Sequence, residues 1–156
     1  MREKRFIAEH RGGPLTMEHH RALMRWAIVC VEHVWSLAKK PIDPRLITAI
    51  EIARDWANEK APTGAAMKAS VAAHAAAREA TDAVSKSVAR SVGQAVATAH
   101  MADHSVGAAL YAQQAANRAG LSFEKERDWQ CEQLQSLSSD LVELVLMTMK
   151  NKPLKM

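Results

Sequence analysis

The chain has 156 residues, 48% apolar and 24% charged, with six Gly, five Pro and two Cys. These proportions exclude collagen, low-complexity disorder and a disulfide-stapled scaffold, and they fit one globular domain with a full core. The formal charge is +4, yet seven of the 21 Lys and Arg residues lie in positions 1–11 and 150–156, and between 12 and 149 there are 14 basic against 15 acidic residues. A nucleic-acid partner is therefore disfavoured, because a dedicated binder concentrates its charge on one face or groove.

The longest apolar run, Trp26 to Val31, has six residues, whereas a bilayer span needs about 18. Behind the basic N-terminus there is no apolar segment of the kind a secretory signal requires. No membrane partner and a cytoplasmic location are the expectations. Cys30 and Cys131 lack a CxxC context, so two buried thiols are expected rather than a disulfide.

Residues 1–15 read as a flexible basic lead-in that ends in Gly12, Gly13 and Pro14. Thr16 can cap a first helix to about Ala38, on which Leu23, Ala27, Cys30, Val34 and Leu37 form one apolar stripe and Met24, Ile28, Val31 and Trp35 another. Two stripes predict burial on both sides. Asp43 followed by Pro44 starts a second helix to about Glu59, a capping carboxylate and then proline at the first helical position. Residues 61–119 hold 22 of the 29 alanines, which predicts helices packed closely on one another. From Ala65 to Ala119 there is no proline, yet one helix of that length would reach about 80 Å, so the segment must fold back. Thr81 with Asp82 is the first choice for the break and Ser91–Gly93 the second. Gly120 reads as the left-handed residue after a helix end, and Ser122 caps a last helix to about Met149. The expected architecture is all-α, a single bundle of five or six helices over residues 16–149 with an Ala-rich central pair, followed by a basic tail at 150–156.

Chemistry concentrates in Ala97–Tyr111, ATAHMADHSVGAALY. If helical, it sets His100, His104 and Tyr111 on one seam and Asp103 on the next. A buried Asp103 needs a cation, a donor or a metal. His74 and Arg78, four residues apart on another Ala-rich helix, supply a natural partner, since the Arg78 fork can grip Asp103 bidentately. Three uses of the cluster compete. The first is a structural polar network. The second is a divalent transition metal such as zinc, held by His100, Asp103, His104 and His74, although HxxDH lacks the glutamate that zincin helices use as general base. The third is an acid–base pair for hydrolysis, weakened because Thr98, the candidate hydroxyl, points to a different face from His100; a small-ligand or partner site is the remaining use. Secondary polar candidates are His20, Arg21, Glu32 and His33. Trp26, Trp35 and Trp56 read as core.

Four stretches, HHRALMRWAIVCVEHV at 19–34, PIDPRLITAIEIARDWA at 41–57, AHAAAREA at 73–80 and AVATAHMADHSVGAALYA at 95–112, resemble a family of small bacterial immunity proteins linked to polymorphic toxin systems. The likeness covers about residues 16–118. It implies an all-helical protein that neutralises a toxin encoded nearby by binding it and brings no established catalytic role to carry over; no cofactor is expected unless the polar cluster holds a metal. The family's motif would fall here on His20, Arg21, Trp26, Glu32, His33, Asp43, Arg45, Trp56, His74, Arg78, Thr98, His100, Asp103, His104 and Tyr111. The basic balance departs from the acidic character usual in antidotes to nucleases. A cognate toxin domain is thus the expected partner, with a second copy of the chain as the other one considered.

Overall fold

Side-chain caps set the starts of five of the helices. In the computed structural model, which describes residues 3–156, Thr16 accepts from the His19 amide at 3.2 Å, Asp43 from Arg45 at 2.9 Å, Asp82 from Ser85 at 2.9 Å, Ser122 from Lys125 at 3.1 Å and Ser138 from Leu141 at 3.4 Å. Each satisfies an amide that the first helical turn leaves without a partner. The described residues form seven α-helices and no strand: α1 (Met17–Val34), α2 (Pro44–Ala57), α3 (Thr63–Glu79), α4 (Ala83–Ala97), α5 (His104–Arg118), α6 (Phe123–Glu132) and α7 (Ser139–Asn151).

The fold is all-α as expected, with more helices than the five or six predicted. The break at Asp82 stands where it was placed. Ser91–Gly93, the alternative, lies inside α4. A second break falls at 98–103, within the segment read as one helix. The final helix is likewise divided, because Gln133–Ser136 tightens into a 3-10 turn and Ser138 then caps α7. Gly120 takes the left-handed conformation, φ +83°.

The two stripes of α1 serve two halves of the core. Met24, Ile28 and Val31 pack with Leu46, Ile50 and Trp56 of α2 and with the alanines of α3 and α4. Leu23, Trp26, Cys30 and Val34 pack with Val106, Leu110 and Leu134 and with Leu141, Leu144 and Val145 of α7. Both cysteines are free thiols, Cys30 buried and Cys131 half-buried. In the second half, buried amides bolt α6 to its neighbours. Gln130, fully buried, donates to the Ala109 carbonyl at 2.9 Å and accepts from Gln113 at 2.8 Å, while its own carbonyl accepts the Trp26 indole N–H at 3.0 Å. Such an amide is tolerated because its polar atoms are matched.

Residues expected as a loose lead-in are part of this core. Glu3–Arg11 winds into two short 3-10 turns, and Phe6, at 1% exposure, enters the α1–α5–α7 cluster with Leu15, while Ala8, between them in sequence, is also buried. Apolar side chains at 6, 7, 8 and 15 are spaced as neither helix nor strand, so periodicity could not flag them. The tail also returns, since Gln114 donates to the Lys155 carbonyl at 2.6 Å and Leu154 packs on the same cluster. Phe6→Ala should therefore lower unfolding free energy by about 3–5 kcal/mol in urea titration; a change within about 0.5 kcal/mol, the surface value, would contradict the anchoring.

Candidate functional site

Helix α4 runs between α3 and α5, and small side chains let it approach both. The Ser70 hydroxyl of α3 donates to the Gly93 carbonyl of α4 at 3.0 Å, and the Ser91 hydroxyl of α4 to the Ala108 carbonyl of α5 at 2.7 Å. These rungs place the polar residues of three helices side by side.

AHMADH is a turn rather than a helix face. Thr98–His100 closes the C-terminus of α4, Asp103 precedes the first residue of α5, and His104 is that residue. Local turn signals are absent there; tertiary partners fix the turn. His20, 1% exposed, packs edge-on against Trp56 with ring centroids 4.8 Å apart and donates from Nε2 to the Thr98 carbonyl at 2.5 Å. A carbonyl only accepts, so the proton is on Nε2 and Nδ1 keeps a buried lone pair without a hydrogen-bond partner. Burial is the main cause that holds His20 below the usual imidazole range, opposed by the bond to Thr98. The residue, a secondary polar candidate in the sequence, thus lies in the core. From outside, Arg11 donates to His100 Nδ1 at 3.3 Å and reaches the Met101 sulfur at 3.5 Å.

The expected Asp103–Arg78 pair does not form. Arg78 is exposed at the last turn of α3, while Asp103, its side chain 8% exposed, lies 3.8 Å from the Lys152 ammonium. Placing Asp103 on a helix face had set it opposite α3; the turn aims it toward the end of α7.

A second group does assemble, with residues the sequence pattern had not singled out. Arg90 of α4 donates to His74 Nδ1 at 2.8 Å, and His104 Nδ1 lies 2.8 Å from Gln94 Oε1. Guanidinium only donates, so His74 is neutral at Nδ1; burial first, then Arg90, His104 and Arg78, depress its proton affinity. Two glycines make the room. A Cβ on Gly93 would come within 2.6 Å of the His74 ring, and one on Gly107 within 2.4 Å of Gln94 Oε1. The only sequence signal for Arg90 and Gln94 was their spacing of four on α4. Tyr111, half-buried one turn beyond Gly107, makes no hydrogen bond to this group among the described residues.

The other candidates are spread over the molecule. Arg21 pairs with Glu59 at 3.0 Å and Glu32 with Arg54 at 2.9 Å, both at the surface. His33 donates to Glu126 at 2.7 Å and stacks on Trp129, centroids 3.4 Å apart, which joins α1 to α6. Thr98, fully buried, donates its hydroxyl to the Gln94 carbonyl at 3.2 Å, so it is not offered to a substrate. Among the described residues no group of three or more His, Cys, Asp or Glu side chains is placed to hold a metal ion. His74, His100, Asp103 and His104 form no such group, and the Nδ1 lone pairs of His74 and His100 already face arginine donors.

With this geometry in place, comparison with protein families matches residues 13–137 to the model described as Imm-5 like putative immunity protein. The chain belongs to that family. Comparison with curated proteins and with solved structures finds no match. The matched span takes in α1 through α6 and every residue of the His74–Arg90–Gln94–His104 group, whereas Arg11 and Lys152, which brace the α4–α5 turn of this family member, come from outside it.

Two measurements probe this site. Gly93→Ala should destabilise by about 1–3 kcal/mol because the His74 ring must move, although helix propensity alone would favour Ala by about 1 kcal/mol; a stabilised variant would remove His74 from that position. Because folding excludes a proton that the unfolded His20 takes up below its ordinary value of about 6.5, stability should fall as pH drops through that value, and His74 acts in the same sense. The denaturation midpoint followed between about pH 5 and pH 8 should decline toward acid, with a shallower slope in His20→Gln, which keeps an N–H for Thr98 but does not titrate.

Proposed function

We propose that this immunity-family protein neutralises a toxin encoded beside it by direct, stoichiometric binding and performs no chemistry. The family match carries the proposal. The polar groups support it: His20, His74 and His100 each have a ring nitrogen engaged by the protein itself, at Thr98, Arg90 and Arg11, which suits rigid positioning of helices better than turnover. An antidote needs a stable face that covers or distorts a toxin domain, and a helical bundle held in register by buried polar pairs supplies one. The encounter is expected in the cytoplasm, where toxin and antidote are made together.

Co-expression with the adjacent toxin reading frame and purification on one partner should yield a one-to-one complex with a dissociation constant well below about 1 μM, and the toxin's activity should disappear on titration. Absence of any complex with a neighbouring toxin at micromolar concentration would remove the proposal. Protein purified without a histidine tag should also carry no stoichiometric transition metal and remain fully active as an antidote after chelation.

A further inference from the structure

Of the helical arginines, Arg21, Arg45, Arg54 and Arg127 each pair with a carboxylate of the chain itself, while Arg25 and Arg118 donate to the Ala57 carbonyl and the Ser87 hydroxyl. Arg78 and Arg90 pair with none among the described residues: Arg78 is exposed, and Arg90, half-buried, reaches only the neutral nitrogen of His74. A guanidinium drawn partly out of water beside an imidazole, with no anion, has donors left over for one.

The two cations share a face. On α3, Met67, Val71, His74 and Arg78 follow at spacings of four, three and four, which is one seam of a helix. On α4, Lys86, Arg90 and Gln94 follow at four and four; on α5, His104, Gly107 and Tyr111 at three and four. The His74–Arg90 bond ties the first seam to the second, and the Gln94–His104 bond ties the second to the third. Met67 and Val71 continue the face as exposed apolar side chains, 44% and 69% accessible. Arginine, tyrosine and methionine gathered on a small-residue floor have the composition of a protein-binding hot spot. Phosphate tracking would need a longer run of cations than two arginines and a lysine, without apolar side chains beside them.

We propose that the outer face of α3, α4 and α5 is the docking surface for the partner, and that Arg90 and Arg78 together receive a carboxylate side chain of that partner protein while Val71, Met67 and Tyr111 are covered by its apolar surroundings. The assignment rests on the antidote function and names the part of the chain that performs it.

The test uses the full chain and the toxin domain encoded next to it, with calorimetry at about 150 mM salt. Arg78→Glu/Arg90→Glu should weaken the complex at least about 100-fold, as truncation or reversal at a central charge contact does, while Arg54→Glu on the opposite, α1–α2 side should stay within about threefold. Should loss of the His74 contact unfold the double variant, Arg78→Glu and Val71→Asp, both at exposed positions, should each weaken binding by roughly tenfold with unchanged unfolding temperature. A toxin Asp or Glu replaced by Arg at the contact should restore affinity to Arg78→Glu/Arg90→Glu. If wild type binds and these variants bind equally well, the docking face is wrong and the antidote function stands. Failure of the wild type to bind removes both. Binding of a short DNA duplex at the same salt that the double variant abolishes would overturn the protein-carboxylate assignment.

Discussion

The close approach of α4 to α3 and α5 is the constraint on which the rest of the structure depends. Serine hydroxyls of one helix reach backbone carbonyls of the next, Ser70 to Gly93 and Ser91 to Ala108, and this is possible only where alanine, serine and glycine line the contact. Little apolar area is buried per residue by such small side chains, so the stabilisation comes from many close van der Waals contacts and from hydroxyls that remain satisfied. Larger side chains on α1, α2 and α7 fill much of the two halves of the core. The small-residue contacts hold α3, α4 and α5 in register and bring their polar seams to one surface.

That register explains why the polar residues divide into two roles. On the inner side, His20, packed against Trp56, closes the end of α4 by donating to the Thr98 carbonyl, and Arg11 latches the same turn from outside through His100. These contacts substitute for the glycine or proline that would ordinarily mark such a turn. On the outer side, Gly93 and Gly107 admit the His74 ring and the Gln94 amide, and Arg90 is braced on His74 with no carboxylate partner among the described residues. A guanidinium already held in place loses less entropy on meeting a carboxylate than a free one does.

The packed ends of the chain enlarge the molecule beyond the family-matched span of 13–137. Phe6 enters the core beside α7, Lys152 approaches Asp103, and the tail returns along α5 to Gln114. Residues whose charge pattern suggested solvated ends therefore complete the second half of the core. Neither the 3-10 turns nor the tail carries a hydrophobic period long enough to announce that role.

Much of the helical framework was legible in the sequence because it is written in local chemistry. Thr16, Asp43–Pro44, Asp82 and Ser122 mark helix starts by capping, the two stripes of α1 report burial on both sides, and the alanine density from 61 to 119 reports close packing. The motif stretches carried the family resemblance, which the match over 13–137 bears out. What tertiary structure alone decided is where the AHMADH segment points. Small apolar residues keep helical spacing straight through Thr98–Asp103, so periodicity read a helix there and assigned Arg78 to Asp103. The chain instead turns because His20 and Arg11, 78 and 89 residues distant in sequence, capture its carbonyl and its imidazole. A contact between residues so far apart leaves no period and no capping signature in either segment, and so the identity of the paired residues, Arg90 with His74 and Lys152 with Asp103, emerged only once the helices were packed.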